Sequence, residues 1–368
     1  MKQEILNKLD NEIFILHPIS IAVKSEIDRF AQHGRKDEIL SVIGPSGIGK
    51  TSLAKQTCSQ ISHRLNSGWR PGKSHPILIE APSQTKREFA WRSFLEELLL
   101  LLGEINLVSK VDLDKVEQSK RAGDRAPVRS KLTIGQLERL VRKRIKVLQP
   151  AVVVIDEAQN FVVGLSAEDR KANLNRLKNW ANTMETKFIL FGTHECRDFL
   201  NINEQLARRI TPVYFPRYTK TMEEVTEFAS FYKSLVQELE IKMSPKINKD
   251  FIYIYNHTLG CPGLLVTWLH KSITYCVDSG LDTLSYETFH RHRFSKTRLA
   301  TMELAIKEFE AEYNESLSEF NPDRIQVGSE PYQTSLDLSF SSTNSEGKSS
   351  SARRPGQKKA KRHPVCED

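Results

Sequence analysis

The stretch Ile39-Leu-Ser-Val-Ile43 followed by Gly44-Pro-Ser-Gly-Ile-Gly-Lys-Thr51 decides the fold class of this chain. The first five residues are mostly apolar, which predicts a short buried strand. The next eight match GxxxxGK[ST], and the sequence after them has the apolar spacing of a helix. Glycines in such a loop let backbone N–H groups bind phosphate oxygens, and the following helix offers its N-terminus to the same anion. The pattern therefore predicts a phosphate-binding loop (P-loop) between a strand and a helix.

The P-loop supplies the candidate nucleotide contacts. Lys50 is predicted to reach the β- and γ-phosphates of ATP, and the Thr51 hydroxyl to bind Mg²⁺. A chance glycine-rich turn is the alternative, but it does not account for the strand and the helix on either side. The predicted cofactor-binding residues are Gly44, Pro45, Ser46, Gly47, Ile48, Gly49, Lys50, Thr51, Ser52 and Asp156.

A second apolar strand ends in two acids. Val152-Val-Val-Ile155 precedes Asp156 and Glu157. Because parallel strands end at the same edge of a sheet, both acids are predicted to lie beside the nucleotide. Asp156 would hold Mg²⁺ through water, and Glu157 would orient or deprotonate the attacking water. Two acids at a strand end are common on surfaces, so this prediction depends on their pairing with the P-loop.

Three more residues are candidates for contact with the γ-phosphate. Thr193 follows the fourth predicted strand, where its hydroxyl would bind the phosphate or the attacking water, although a threonine that merely ends a strand fits equally well. Arg208 and Arg209 follow later. A cation beside the γ-phosphate stabilises transition-state charge, and a neighbouring subunit can supply it. Any exposed arginine pair fits that description, so these residues alone do not decide the matter.

Strands alternating with helices predict an α/β fold with a parallel sheet flanked by helices. From about Thr219 the pattern becomes helical throughout. We therefore predict an α/β core with a helical lead-in over residues 1–217 and a small all-helical lid domain over 218–318. Residues 319–368 are Ser-rich and then basic, a composition that predicts a disordered C-terminal tail.

The net charge of +8, from 54 Lys and Arg against 46 Asp and Glu, is concentrated in two places. Residues 108–146 contain 12 basic and 5 acidic residues, and the tail from Lys348 contains 7 basic and 2 acidic ones. Flexible cations suit sequence-independent contact with the DNA backbone, although a solubilising insertion is the alternative. The predicted DNA-binding residues are Lys86, Arg87, Lys120, Arg121, Arg125, Arg129 and Lys131.

The sequence also argues against several classes of protein. The N-terminal residues contain acids and no apolar core, so no secretory signal peptide is expected. The purest apolar run, Leu98 to Leu102, is too short to span a membrane. The five cysteines are scattered without a CxxC pair, which argues against a disulfide framework and a cysteine-based zinc site.

Taken together, these residues resemble an AAA+ ATPase and, more narrowly, the TnsC/TniB family of transposition regulators. The resemblance covers about residues 15–290 and depends on GPSGIGKTSL, VVVIDEAQNF, FGT and NEQLARRITPVYFPRYT. On the last segment Arg209 matches the family's arginine finger, with Arg208 as its neighbour. The segment NHTLGCPGLL resembles part of the family's lid, where Leu264 replaces the sensor-2 arginine of related initiator ATPases.

The resemblance implies a bacterial cytoplasmic ATPase that uses ATP and Mg²⁺. It implies ring or helical homo-oligomers, such as a heptamer or a filament, on double-stranded DNA. It further implies contacts with a transposase of the TnsA/TnsB type and with a TniQ-type targeting protein, and some relatives serve CRISPR-associated transposons. The rival interpretations are another DNA-associated AAA+ ATPase of the initiator type, a secretion-associated ATPase, a signalling NTPase switch and an ATP-bound scaffold without turnover.

Overall fold

The computed structural model describes residues 5, 8, 15, 17–69, 72–84, 88–104, 132–201, 208–240 and 242–320. Within them, five parallel strands form one sheet in the order β2-β3-β4-β1-β5. The strands are β1 (Ile39–Ile43), β2 (Ile77–Glu80), β3 (Val153–Asp156), β4 (Phe188–Gly192) and β5 (Ile210–Tyr214). The predicted parallel α/β architecture is confirmed.

Helices precede, connect and follow these strands. Those of the α/β part are α1 (Pro18–His33), α2 (Lys50–Asn66), α3 (Trp91–Leu101), α4 (Ile134–Leu148), α5 (Ala167–Thr183) and α6 (Asp198–Asn201). After β5 come α7 (Met222–Glu238), α8 (Pro245–Lys249), α9 (Phe251–His257), α10 (Pro262–Asp278), α11 (Tyr286–Arg291) and α12 (Lys296–Phe320). The last helix ends two residues beyond the predicted lid boundary at residue 318.

Strand β5 is the element that the sequence did not predict. Its residues Ile-Thr-Pro-Val-Tyr include a proline, which cannot donate to a strand ladder and is therefore confined to edge positions. Among the described strands β5 pairs only with β1, so it is such an edge. Its presence fixes Arg209, the residue just before it, against the start of β1.

The sheet buries both of its faces. On one face α3, α4 and α5 contribute Phe94, Val141 and Trp180 to the main core. Alternate residues of the strands point to the other face, where α1 and α2 bury Ile27 and Leu53. Every strand residue of β1, β3 and β4 is buried, which holds the ends of these strands rigidly in place.

The helices after β5 pack back onto the α/β part. Phe309 of α12 is fully buried in the main core and lies beside Tyr214 of β5. Arg217 donates to both carboxylate oxygens of Glu310, at 2.6 and 3.1 Å, and to the backbone oxygen of Leu259 at 3.0 Å. The described residues therefore all belong to one compact unit.

His17 lies in the junction between the lead-in helix and the segment that follows β5. Its side chain is 5% exposed, and its Nδ1 is 2.8 Å from the Tyr218 hydroxyl. The imidazole also packs against the rings of Phe215 and Phe231. A charged imidazole is unfavourable in such an apolar setting.

This burial predicts that the protein loses stability in mild acid. Burial lowers the pKa of His17 from 6.5 to about 4. Between these values the unfolded chain binds a proton that the folded chain does not, so the free energy of unfolding decreases as the pH falls. We expect His17 to account for a loss on the order of 2 kcal/mol between pH 7 and pH 5. Urea unfolding across that range measures it.

The matched variants are His17→Gln and His33→Gln. His33 is exposed at the end of α1, so its replacement should leave the pH dependence of the unfolding free energy unchanged. His17→Gln should flatten it. Equal pH dependence in wild type and His17→Gln would show that the buried imidazole does not titrate as described.

Among the described residues, no helix has both the length and the apolar character needed to cross a membrane.

Candidate nucleotide-binding site

The P-loop connects β1 directly to α2. Gly49 precedes the helix with φ +110°, a conformation that side-chain-bearing residues rarely adopt, and its carbonyl accepts from the N–H of Leu53. Lys50 is the first residue of the helix and is only 7% exposed. Its ammonium donates to the backbone oxygens of Gly44 at 2.9 Å and Pro45 at 3.0 Å. The predicted lysine is therefore folded back over its own loop.

The charge on Lys50 is held in an unfavourable setting. Burial lowers the pKa of its ammonium, while the charges of Glu157 and Asp156 raise it. The structure thus brings together the P-loop lysine and the two acids that the sequence predicted. An anion bound beside Lys50 would replace the hydration that burial has removed.

Asp156 and Glu157 stand at the end of β3, between β2 and β4 in the sheet. Asp156 is 5% exposed, and its Oδ1 accepts from the N–H of Glu157 at 2.9 Å. Glu157 has φ +52°, in the left-handed region. Such conformations cost free energy and recur at functional sites. This turn directs the chain away from the strand immediately after the second acid.

Gln159 links Glu157 to the neighbouring strand. Its Nε2 donates to the Glu157 carboxylate, and its Oε1 accepts from the N–H of Thr193 at 3.2 Å, just after β4. No motif in the sequence assigned a role to Gln159. Its position in the sequence was the available signal. Gln159 lies two residues beyond Glu157, just after β3, and the neighbouring strand β4 also ends at the site.

Thr193 follows β4 directly and lies at the same edge of the sheet as Glu157. Its hydroxyl donates to the Glu195 carboxylate. The adjacent His194 has its Nε2 3.0 Å from a carboxylate oxygen of Glu308 on α12. The end of β4 is therefore connected both to Glu157, through Gln159, and to the last helix.

The residues predicted to hold Mg²⁺ fit that ion by their chemistry. Thr51 is exposed on the first turn of α2, and α2 packs against β3, which ends in Asp156. A hydroxyl and a carboxylate are hard oxygen ligands, and Mg²⁺ commonly takes its other ligands from water and substrate phosphates. Among the described residues, no group of three or more His, Cys, Asp or Glu side chains forms a metal site by itself.

The start of α10 rests on the P-loop. An added Cβ at Gly47 would lie 2.5 Å from Leu264 Cδ2, and one at Gly263 would lie 2.6 Å from the Gly47 backbone oxygen. Glycine is therefore required at both positions for this close approach. Leu264, at the position predicted to lack a sensor arginine, is buried against the loop.

Arg209 lies where the strands begin, whereas the P-loop lies where they end. Its backbone oxygen accepts from the N–H of Ile39 at 2.8 Å, at the beginning of β1, whereas the P-loop starts after Ile43 at the end of β1. Five strand residues span about 16 Å at ~3.3 Å each. An arginine side chain is too short for that distance, so Arg209 cannot contact a nucleotide in its own P-loop.

Arg209 instead lines a polar cleft where the strands begin. Its Nη1 donates to Asp37 Oδ2 at 3.0 Å and to the Asp37 backbone oxygen at 3.2 Å. Arg208 is exposed and lines the same cleft. The other lining residues are Arg35, Glu38, Lys178 and Asn182.

The predicted DNA-binding residues Lys86, Arg87, Lys120, Arg121, Arg125, Arg129 and Lys131 lie outside the described residues, as does the tail from residue 321. The basic segment is described from residue 132 onward. There Arg139, Lys143 and Lys146 are exposed along α4, at spacings that place them on one side of the helix.

Comparison with known proteins agrees with this geometry. Residues 33–200 match the AAA domain family. No curated protein matches the chain significantly. The fold is similar to that of the Aeropyrum pernix ORC1 protein in complex with DNA, at 15% identity and a TM-score of 0.50, covering 76% of this chain and 65% of that one.

Two further solved structures show a more distant likeness. The Aeropyrum pernix ORC2 protein, in its ADPNP-ADP complexes, has 15% identity and a TM-score of 0.47 over 77% of this chain and 71% of that chain. Domain III of the Thermotoga maritima replication initiation protein DnaA has 13% identity and a TM-score of 0.43 over 80% of this chain and 94% of that chain.

The family match and the site agree on the class of protein. The matched residues contain the P-loop, the acids that end β3 and the end of β4, all at one edge of a parallel sheet. Residues 33–200 therefore match the AAA domain family and have the AAA+ P-loop NTPase fold, and the protein is a nucleotide-binding ATPase.

Proposed function

We propose that this ATPase is an ATP-dependent, DNA-binding regulator of transposition that works as an oligomer. The observation that carries the oligomer is the position of Arg209, about 16 Å along β1 from its own P-loop. If Arg209 acts on a γ-phosphate, that phosphate belongs to a second copy of the chain. A ring or a helical filament places every Arg209 beside the ATP of the next subunit.

The roles in this proposal follow from the site. Lys50 and the P-loop backbone bind the phosphates, and Glu157, held by Gln159, orients the attacking water. Thr51 and Asp156 would hold Mg²⁺, which would neutralise phosphate charge. Thr193 acts at the γ-phosphate once its hydroxyl leaves Glu195. Arg209 of the neighbour, with Arg208 beside it, stabilises the transition state, and hydrolysis loosens the assembly.

The DNA contact in the proposal rests on the distribution of charge and on the resemblance to TnsC/TniB regulators. Exposed Arg139, Lys143 and Lys146 continue the basic segment that begins before α4. Such cations bind phosphates without reading sequence. The similar ORC1 structure is in complex with DNA. A transposase of the TnsA/TnsB type and a TniQ-type targeting protein are the proposed partners.

Glu157→Gln provides the test, because an amide cannot accept the proton of the attacking water. With ATP, the variant should remain on fluorescent duplex DNA at least about 10-fold longer than wild type, since general-base catalysis contributes ~10²–10⁴-fold to such reactions. Dissociation is followed after addition of unlabelled DNA, at several salt concentrations. Glu168→Gln, an exposed acid on α5, is the matched control and should dissociate like wild type.

Electron microscopy of the same samples should show rings or filaments on the duplex. Monomers under every nucleotide condition would overturn the oligomer. Nucleotide-dependent assemblies that bind DNA but do not stimulate a TnsB-type transposase would leave an initiator-like ATPase and overturn the role in transposition.

A further inference from the structure

Asp37 contacts two arginines, Arg35 and Arg209, near the point where β1 and β5 begin. It lies in the turn between α1 and β1, and its carboxylate accepts two hydrogen bonds from Arg35, at 3.1 Å and 3.0 Å. The oxygen Oδ2 also accepts from Arg209 Nη1 at 3.0 Å. One carboxylate is thus shared by an arginine of its own turn and by the arginine that precedes β5.

The contact holds Arg209 by one end of its guanidinium. Both hydrogen bonds to Asp37 come from the same nitrogen, Nη1. Toward the rest of the described chain, Nε and Nη2 make no hydrogen bond. An arginine carries five donors in a fixed planar fork, so the remaining ones suit a bidentate contact with an incoming phosphate. Asp37 therefore orients Arg209 without using the donors that such a contact needs.

The backbone around this pair is held in place by the sheet. The Arg209 carbonyl is bonded to the Ile39 N–H, and β1 and β5 are in register from Ile39 and Ile210 onward. The side chain of Arg209 is 29% exposed, whereas that of Arg35 is 73% exposed. Ordering a long, exposed arginine costs conformational entropy at the moment it binds. A side chain already held by Asp37 avoids most of that cost.

The Asp37 carboxylate is ionised at neutral pH. Burial would raise its pKa, but a backbone hydrogen bond, the hydrogen bonds from Arg35 and the charges of Arg35 and Arg209 together lower it. The Asp37 carboxylate is therefore negatively charged in an ATPase assay near neutral pH.

We propose that Asp37 is a positioning residue that holds Arg209 ready for the γ-phosphate of a neighbouring subunit. The inference rests on the proposed role of Arg209 in trans, and adds to it a residue that no sequence motif assigns. Asp37 touches neither nucleotide nor reacting atoms. It acts only through the orientation of Arg209.

The test is a double-mutant cycle on ATP hydrolysis by the full chain with duplex DNA. Asp37→Asn keeps the size of the side chain and removes its charge. We expect kcat to fall roughly 10- to 100-fold, as misplacement of a reacting group does, with KM for ATP unchanged. In an Arg209→Ala background, Asp37→Asn should have no further effect, because the group it positions is gone.

Asp28→Asn is the matched control. Asp28 also holds two cations through one oxygen, Lys24 at 2.8 Å and Arg64 at 3.2 Å, but it does not contact Arg209. Asp28→Asn should leave kcat unchanged. Its fall in thermal stability shows how much stability is lost when a carboxylate that holds two cations is neutralised. An equal fall in kcat from Asp37→Asn in both backgrounds would overturn the positioning role. So would a normal Asp37→Asn enzyme while Arg209→Ala is inactive. No effect of Arg209→Ala would instead overturn the proposed trans site itself.

Discussion

Replacing Lys50 with alanine is expected to lower the affinity for ATP by about 10²- to 10³-fold and to abolish measurable hydrolysis. Lys50 is buried within the P-loop beside the charges of Asp156 and Glu157. Leaving a buried phosphate without its cationic partner costs about 3–5 kcal/mol, which corresponds to this loss of affinity. The variant thus loses the phosphate contact and leaves two acids facing an anionic ligand.

Binding of a fluorescent ATP analogue and release of phosphate measure the two effects separately. Lys50→Arg keeps the charge but changes its shape and reach, so it should recover part of the binding and little of the hydrolysis. Lys55→Ala, on the exposed side of the same helix, is the matched control and should behave like wild type. Normal turnover by Lys50→Ala would show that this loop is not the phosphate site.

Replacing Arg209 with alanine is expected to lower kcat by about 10³-fold or more while KM for ATP stays close to wild type. Arginines supplied to a γ-phosphate contribute ~10³–10⁵-fold to turnover. The residue lies too far along β1 to bind ATP in its own subunit, so the loss should affect chemistry and not binding. Steady-state hydrolysis with duplex DNA and binding at equilibrium distinguish the two.

Mixing variants tests whether the arginine acts between subunits. An Arg209→Ala subunit keeps its P-loop, and a Lys50→Ala subunit keeps its arginine. Mixed assemblies should therefore recover activity that neither variant has alone. Mixtures no more active than the separate variants would contradict a trans arginine.

The exposed neighbour Arg208 provides the control for register. Arg208→Ala should retain most of the activity, because the sheet fixes Arg209 and not Arg208 against Asp37. If instead Arg208→Ala is inactive and Arg209→Ala is active, Arg208 and not Arg209 acts on the γ-phosphate of the neighbouring subunit.

Local patterns were sufficient for much of the fold and for the phosphate site. The apolar run before Gly44 predicted β1 with its observed ends, and the glycine pattern predicted a helix directly after the loop, which in the structure begins at Lys50. The acids after Ile155 were predicted at the same sheet edge because the strands are parallel, and they are found there.

The parts that were not predicted depend on contacts between residues distant in sequence. Strand β5 contains Pro212, and only its edge position beside β1 makes that acceptable. Gln159 acquires its place from the end of β4, and Asp37 from a residue 172 positions later. No periodicity or motif encodes such pairs, since their meaning appears only when the sheet order is known.

The contact of α10 with Gly47 places the helices that follow β5 directly against the loop that binds ATP. Lys50 donates to the carbonyls of Gly44 and Pro45, within the same loop on which Gly263 and Leu264 rest, so a phosphate bound to Lys50 would compete with these hydrogen bonds. Any difference in lid position between the empty and filled loop then appears as a coupling free energy, which is reciprocal. A protein or DNA that binds more tightly when α10 is in its ATP-bound position would raise the affinity for ATP. ATP would raise the affinity for that partner by the same factor. Occupancy of the P-loop would then be linked to binding at any surface that moves with α10.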